Sequence, residues 1–389
     1  MISLNKNQNI NYSIIMFCIT ILLVFFARDQ FFNLGNYFLL PIITIICSAF
    51  YLATMQINII LRIEHICVLS ILGYAFFIVY VLGKGSEFDI VAATLLFYLF
   101  FLLMVSIDLN ERSLKWVVNA YVISALILAI ILLIQMKPPY PGQIRYGIYY
   151  SSTDFYDVNF TATFMLIPAL ITFNQTLVAK VQKKRIRNGI FTLIIFLAIA
   201  LTGSRGSIVP LIAVFCYRMV TLRKLKISYL FTLLLLLIVV YIALPDELFN
   251  RFFVDSYESN NVRRLHAWEY GIQSFLISPW FGNGLYSTKS IIESTIGIVY
   301  NAHNTFIVIL TQYGIIGAIP NVFLLIYPIL KFLTKKTRNN LLLYYLSFIF
   351  SLIMIEANLS LVILIPLTIM YMALNYVKKN PSYDISNIM

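Results

Sequence analysis

Charge is scarce in this chain. Only 11% of its 389 residues are charged, while 61% are hydrophobic and 15% aromatic. Soluble domains carry about 25% charge, so this composition excludes an ordinary soluble globular protein. There are three histidines and four cysteines. Cys18, Cys47, Cys67 and Cys216 all fall within apolar stretches, with no CxxC pair among them. That excludes a disulfide framework and leaves them as small apolar core residues. No cluster of His, Cys and Asp has metal-ligand spacing, so no metal site is expected. The N-terminal run ends at Ala27-Arg28-Asp29 without a small-x-small cleavage site, and is expected to stay as an uncleaved first span. The halves show no internal repeat, which argues against a transporter built from repeated bundles.

What the chain does have is apolar stretches of roughly 17 to 25 residues, recurring from Ile14 almost to Val377 and each long enough to cross the hydrocarbon as helix. The expected fold is an all-α polytopic integral membrane protein, residues 1–389 forming a single membrane domain. About twelve transmembrane helices are expected, roughly at 12–28, 36–55, 65–82, 89–107, 115–136, 158–178, 188–203, 206–222, 227–244, 304–331, 341–357 and 360–377. The net charge of +12 could point to nucleic acid. Its basic residues, however, sit in short runs between spans: Lys183-Lys184-Arg185, Arg223-Lys224, Lys335-Lys336 and Lys378-Lys379. With both termini cytoplasmic, 19 of the 28 Lys and Arg lie inside, the pattern of positive-inside anchoring, and no nucleic-acid partner is expected. Two outer segments are long, 137–157 and 245–303, and long loops on a rigid scaffold carry function.

Several residues in and beside those outer segments have two readings. In Leu201-Thr202-Gly203-Ser204-Arg205-Gly206-Ser207, a helix start with hydroxyls facing the same way as a guanidinium suits a phosphate or diphosphate. A reverse turn with Arg205 snorkelling to lipid headgroups uses the same residues. Arg263-Arg264-Leu265-His266-Ala267-Trp268 opens an amphipathic helix with Leu265, Trp268, Ile272 and Phe275 on one stripe, ended by Pro279. Such a helix lies at the membrane interface, with Arg264 either a surface charge or part of a site. His303, followed by Asn304 at the mouth of the tenth span, is either a general base near neutral pH or a helix-start histidine. Arg145-Tyr146-Gly147 and Asp157-Val158-Asn159 precede the sixth span; either Asp157 or Asn159 can serve as a helix cap. Glu356 is an intramembrane carboxylate, functional or paired with an outer arginine. Gly314 and Gly317 fit close helix packing.

In this order, the Thr202–Gly206 turn, the Arg264-x-x-x-Trp268 helix running to Pro279 and Gly282-x-Gly284, and the H-N-x9-G-x-x-G pattern from His303 to Gly317 resemble the O-antigen ligase and polymerase superfamily. These are bacterial inner-membrane enzymes that transfer glycans from undecaprenyl diphosphate. The resemblance spans roughly residues 140–320 and rests on the ordered set of motifs. Arg145-x-Gly147 and Asp157-x-Asn159 look like further family elements, with Val158 in place of the usual proline, and Gln312 stands where many members have glutamate.

The resemblance implies a GT-C-like, metal-independent, inverting glycosyltransferase with no cofactor. Arg205 and Arg264 would clamp the donor diphosphate on the periplasmic side, with His303 as base. Arg145, Asp157, Asn159 and Asn304 would be substrate-binding. Its partners would be membrane lipids, an undecaprenyl-diphosphate-linked donor, and either a lipid-linked repeat unit or lipid A-core as acceptor. A polymerase of O-antigen or capsule repeat units is the preferred reading and a ligase the alternative. A polysaccharide-lipid flippase is the rival from another class, although transporters place their polar groups near the midplane.

Overall fold

The computed structural model describes residues 12–24, 39–54, 61–84, 88–137, 145–149, 156–221, 257–333, 340–355 and 360–380. In chain order the helices are α1 (Tyr12–Leu23), α2 (Leu39–Thr54), α3 (Ile63–Phe76, continued by a π-helical turn Phe77–Val81), α4 (Phe88–Ser106), α5 (Glu111–Gln135), α6 (Val158–Val178) and α7 (Gln182–Leu201). They continue with α8 (Arg205–Thr221), α9 (Tyr257–Ile277), α10 (Thr288–Ile296), α11 (Thr305–Leu333), α12 (Asn340–Ile353) and α13 (Leu361–Lys379). Among the described residues there is no strand, only a β-bridge between Lys137 and Gly147. Four helices, Ile63–Val81, Glu111–Gln135, Val158–Val178 and Thr305–Leu333, are long and apolar enough to cross a membrane. The expected span at 227–244, Glu356 and most of the segment 137–157 lie outside the described residues. Of the cysteines, Cys67 is buried, Cys18 and Cys47 are half-buried and Cys216 is exposed.

α6 is the central helix, buried at nearly every position from Thr161 to Thr172 and packed by α5, α7, α8, α12 and α13. The outer helices turn apolar side chains outward, among them Ile66, Leu69, Phe76 and Tyr80 of α3 and Ile315, Ile319, Leu330 of α11. Lipid tails are as apolar as these side chains, so helix association relies on close packing and on hydrogen bonds between helices. Thr20 and Thr44 pair at 2.6 Å, the Ser124 hydroxyl donates to the Ile21 carbonyl at 2.8 Å, and Tyr98 donates to the Asn321 side chain at 2.6 Å.

Two of these bonds solve a specific problem. Proline has no N–H, so a proline within a helix orphans the carbonyl four residues before it, and hydrocarbon offers no water to replace the bond. Pro168 of α6 frees the Phe164 carbonyl, and the buried Tyr121 of α5 donates its hydroxyl to it at 2.7 Å. Pro328 of α11 frees the Leu324 carbonyl, and Tyr371 of α13 donates to that one at 2.6 Å. Each of these two prolines is thus matched by a tyrosine on a neighbouring helix. Tyr121→Phe should cost about 1–3 kcal/mol, the penalty of a buried unsatisfied acceptor, and should cost much less in a Pro168→Ala background, where the restored N–H fills the carbonyl. Unfolding of the four proteins of this cycle measures the coupling; equal losses in both backgrounds would show that the pairing is incidental.

Candidate functional site

The turn between α7 and α8 is built largely from its own side chains. Thr202 Oγ1 donates to the Ile199 carbonyl (2.6 Å) and accepts from the Ser204 N–H (3.2 Å), while Ser207 lies 3.4 Å from the Thr163 hydroxyl. Thr202, Ser204 and Ser207 are all buried. Their hydroxyls therefore face the protein, while Arg205, which begins α8, is half-buried. A short stretch of the first long loop fastens this turn. Arg145 Nε donates to the Thr202 carbonyl (2.8 Å), its Nη2 donates to Asn159 Oδ1, and the Tyr146 N–H donates to the Leu201 carbonyl (3.0 Å). Asp157 caps α6, accepting from the N–H groups of Asn159 (2.7 Å) and Phe160 (3.1 Å). Arg145 and Asn159 thereby tie the start of α6 to the turn before Arg205.

α9 begins at Tyr257, earlier than the expected start near Arg263, and ends before Pro279. Its small residues Ala267, Gly271 and Ser274 face inward and are buried. A Cβ on Gly271 would lie 2.5 Å from Ile307 Cγ2, so the helix rests directly on α11. Leu265, Ile272 and Leu276 are exposed on another face, with Trp268 and Phe275 half-buried beside them, an apolar stripe of the kind an interfacial helix carries. Arg264 lies between the two faces. Its Nη1 contacts Met354 Sδ at 3.6 Å, and it makes no ion pair among the described residues. Met354 also meets the other arginine's turn, since a Cβ on Gly206 would lie 2.7 Å from Met354 Cβ. Burial first, and the nearby Arg205 charge second, pull the Arg264 pKa below the usual guanidinium value, while Asp157 pushes it back up. Arg264 thus feels a second guanidinium and a carboxylate from two other elements, and Met354 lies against both arginine-bearing helices.

His303 is exposed, with left-handed backbone at φ 48°. Asn304, buried, caps α11 by accepting from the N–H groups of Phe306 (2.9 Å) and Ile307 (3.3 Å). The Thr305 hydroxyl donates to the Ile355 carbonyl (2.8 Å), which anchors this segment one residue from Met354. The structure therefore brings Arg205, Arg264 and Asp157 together and secures the His303 segment beside them. Arg145, Asn159 and Asn304 serve as its braces. Among the described residues no three His, Cys, Asp or Glu side chains gather to hold a metal ion.

The glycine motifs meet each other. α11 is a single helix only in outline, because Gly314 breaks it at φ 62°, ψ −173°, a conformation essentially restricted to glycine. The loop after α9 fills the break. Asn283 and Gly284 donate their N–H groups to the carbonyls of Thr311 (2.8 Å) and Gln312 (3.3 Å), and Ile315 and Ile316 donate to the carbonyls of Pro279 (2.8 Å) and Trp280 (3.2 Å). The backbones approach so closely that a Cβ on Gly314 would lie 2.4 Å from the Gly282 nitrogen. Gln312 is buried and its Nε2 donates to the Tyr286 carbonyl (2.7 Å). An ionised glutamate has no proton to donate there. Gly317 serves packing, its α-carbon lying against the Tyr74 ring of α3.

Two participants carried no signal in the sequence. Lys84, beyond the π-helical turn, donates to the Ser278 hydroxyl and the Gly282 carbonyl, and burial lowers its pKa. Met354 is the apolar contact shared by both arginine-bearing elements. Gly314→Ala should lose about 3 kcal/mol or more of stability, from backbone strain and the clash with Gly282. Gly73→Ala, with nothing within 4 Å of its Cβ, should be neutral or slightly stabilising. Thermal unfolding of the two variants in the same detergent compares them; equal midpoints would refute the docking role.

Comparison of the whole sequence with curated proteins gives no match. Residues 190–322 match the family model described as O-antigen ligase. This interval contains the Thr202–Gly206 turn, α9 with Arg264, the Gly282–Gly284 loop, His303 and both glycines of the broken helix. Over residues 190–322 this membrane protein is thus similar to the O-antigen ligase family, in the interval that holds its ordered motifs.

Proposed function

We propose that this protein transfers an undecaprenyl-diphosphate-linked glycan to an acceptor hydroxyl in surface-glycan assembly. The family match supports a role in O-antigen or related glycan assembly. One observation carries the site: Arg205 and Arg264, from different elements, feel each other's charge, yet the polar contact of Arg264 is a thioether. Asp157 opposes that repulsion as the smallest of the three influences on Arg264, and a diphosphate would supply further negative charge in a fork-shaped geometry that guanidiniums match.

In this reading the acceptor oxygen attacks the anomeric carbon, and the bond from that carbon to the diphosphate oxygen breaks with inversion. The acceptor's proton passes to the imidazole of His303, and undecaprenyl diphosphate leaves carrying the electron pair. Arg205 and Arg264 stabilise the charge that grows on the leaving oxygen, by donors already in place before the reaction. No step calls on a metal ion. About twelve spans in one membrane domain, with both termini cytoplasmic, would put this chemistry on the periplasmic side of the inner membrane, where α9 lies along the interface.

Joining of lipid-linked repeat units is the preferred reaction, on the Arg145/Asn159 pattern. Ligation to lipid A-core is the second reading, favoured by the description of the matching family. Purified protein given undecaprenyl-diphosphate repeat units alone should build a ladder of longer lipid-linked chains. Glycan appearing only after lipid A-core is added would make it a ligase. In whichever assay reports activity, Arg264→Ala and His303→Ala should each lower the rate on the order of a hundredfold, and Arg264→Lys should recover part of it. Full activity of correctly inserted His303→Ala would remove the base from this reading.

A further inference from the structure

A second polar site lies at the other end of α6 and α8, away from Asp157 and Arg205. Arg218, in the last turn of α8, donates through Nη2 to Asn174 Oδ1 on α6 (2.6 Å). Asn340, the first residue of α12, donates to the same oxygen (3.0 Å). Asn174 and Asn340 are buried, and Tyr344, one turn along α12, is 1% exposed. Two donors here have no hydrogen-bond partner among the described residues: the Arg218 Nε and the Tyr344 hydroxyl, both buried. The guanidinium lies within electrostatic reach of that hydroxyl.

No carboxylate answers the charge. Arg218 makes no ion pair among the described residues. The sequence has no Asp or Glu between Asp157 and Asp246, and none between Glu293 and Glu356, so α6, α7, α8, α11 and α12 contain none. A cation at the edge of a membrane bundle, held only by a neutral carboxamide, is costly without a counter-ion. Lys183, Lys184 and Arg185 are exposed on the first turn of α7, and they raise the positive potential further. Tyr217 and Val220, flanking Arg218, are exposed apolar surface.

From this arrangement we propose that Arg218 and Tyr344, backed by Asn174 and Asn340, bind the phosphate group of an anionic membrane lipid. The phosphate oxygens accept from Arg218 Nε and the Tyr344 hydroxyl, and the acyl chains lie along Tyr217 and Val220. Basic pockets between membrane helices hold lipid headgroups in this way. A free phosphate would satisfy the same donors but leave the apolar flank uncovered.

The test is a titration of the full-length protein in detergent with phosphatidylglycerol, with phosphatidylcholine as reference, bound lipid being counted by native mass spectrometry. Wild type should retain one phosphatidylglycerol about tenfold more tightly than phosphatidylcholine. Arg218→Met should abolish that preference and Tyr344→Phe should weaken it with the fold intact, while Lys183→Gln/Lys184→Gln should leave most of it. Unchanged binding in both Arg218→Met and Tyr344→Phe would overturn the site. So would a loss in the lysine variant equal to that in Arg218→Met, which would mean diffuse attraction. Displacement of the lipid by millimolar inorganic phosphate would identify a free-anion site and overturn the lipid assignment.

Discussion

Hydrocarbon does not hydrogen-bond, and that constraint organises the described structure. Every backbone carbonyl freed inside a spanning helix must find a donor from the protein. Tyr121 and Tyr371 answer Pro168 and Pro328 from neighbouring helices. The break at Gly314 frees groups of both kinds, and the loop after α9 returns four backbone bonds to them. An irregular stretch of membrane helix is tolerable only where other protein covers it, so the break and the loop require each other.

That requirement reaches the candidate site through α9. The helix is held to α11 twice, by Gly271 against Ile307 and by the loop 279–284 against the break. α8 is placed separately, by Gly206 against the end of α12 and by the Arg145 fork on the turn before it. The separation of Arg205 and Arg264 is thus set by glycines that admit close contact and by an arginine that pins a carbonyl. Neither guanidinium is positioned by a carboxylate of its own element. In the proposed reading both charges would act on the diphosphate, as preorganised electrostatic stabilisation needs.

The sequence made the helices legible because long apolar runs leave little choice: a described helix overlies eleven of the twelve expected stretches, with ends differing by up to six residues, and four of these helices are long and apolar enough to cross a membrane. The motif residues were legible as types: a guanidinium at a helix start, a histidine at the mouth of a span, paired glycines. Their partners were not. Lys84 reaches a loop 198 residues away, and Met354 is an ordinary apolar residue whose importance is only its position. Gly314 and Gly317 look alike in sequence, yet one breaks a helix and the other packs against a ring, because the difference lies in what approaches each from elsewhere. Thr202 and Ser207 were legible as hydroxyls beside Arg205 but not as buried residues, since a buried turn satisfies its own backbone first.

The two ends of α8 show how a membrane bundle can carry arginines for different purposes. At Arg205 the surroundings include a second arginine, a carboxylate and an exposed histidine segment, a mixed field that suits a ligand whose charge changes during reaction. At Arg218 the surroundings are carboxamides and a tyrosine hydroxyl, donors and acceptors without charge, in helices that contain no carboxylate at all. A neutral shell cannot respond to changing charge, but it holds a permanent anion without competing for it. In the two proposed readings, the chemistry of the neighbours, more than the arginine itself, would separate a site for turnover from one for residence.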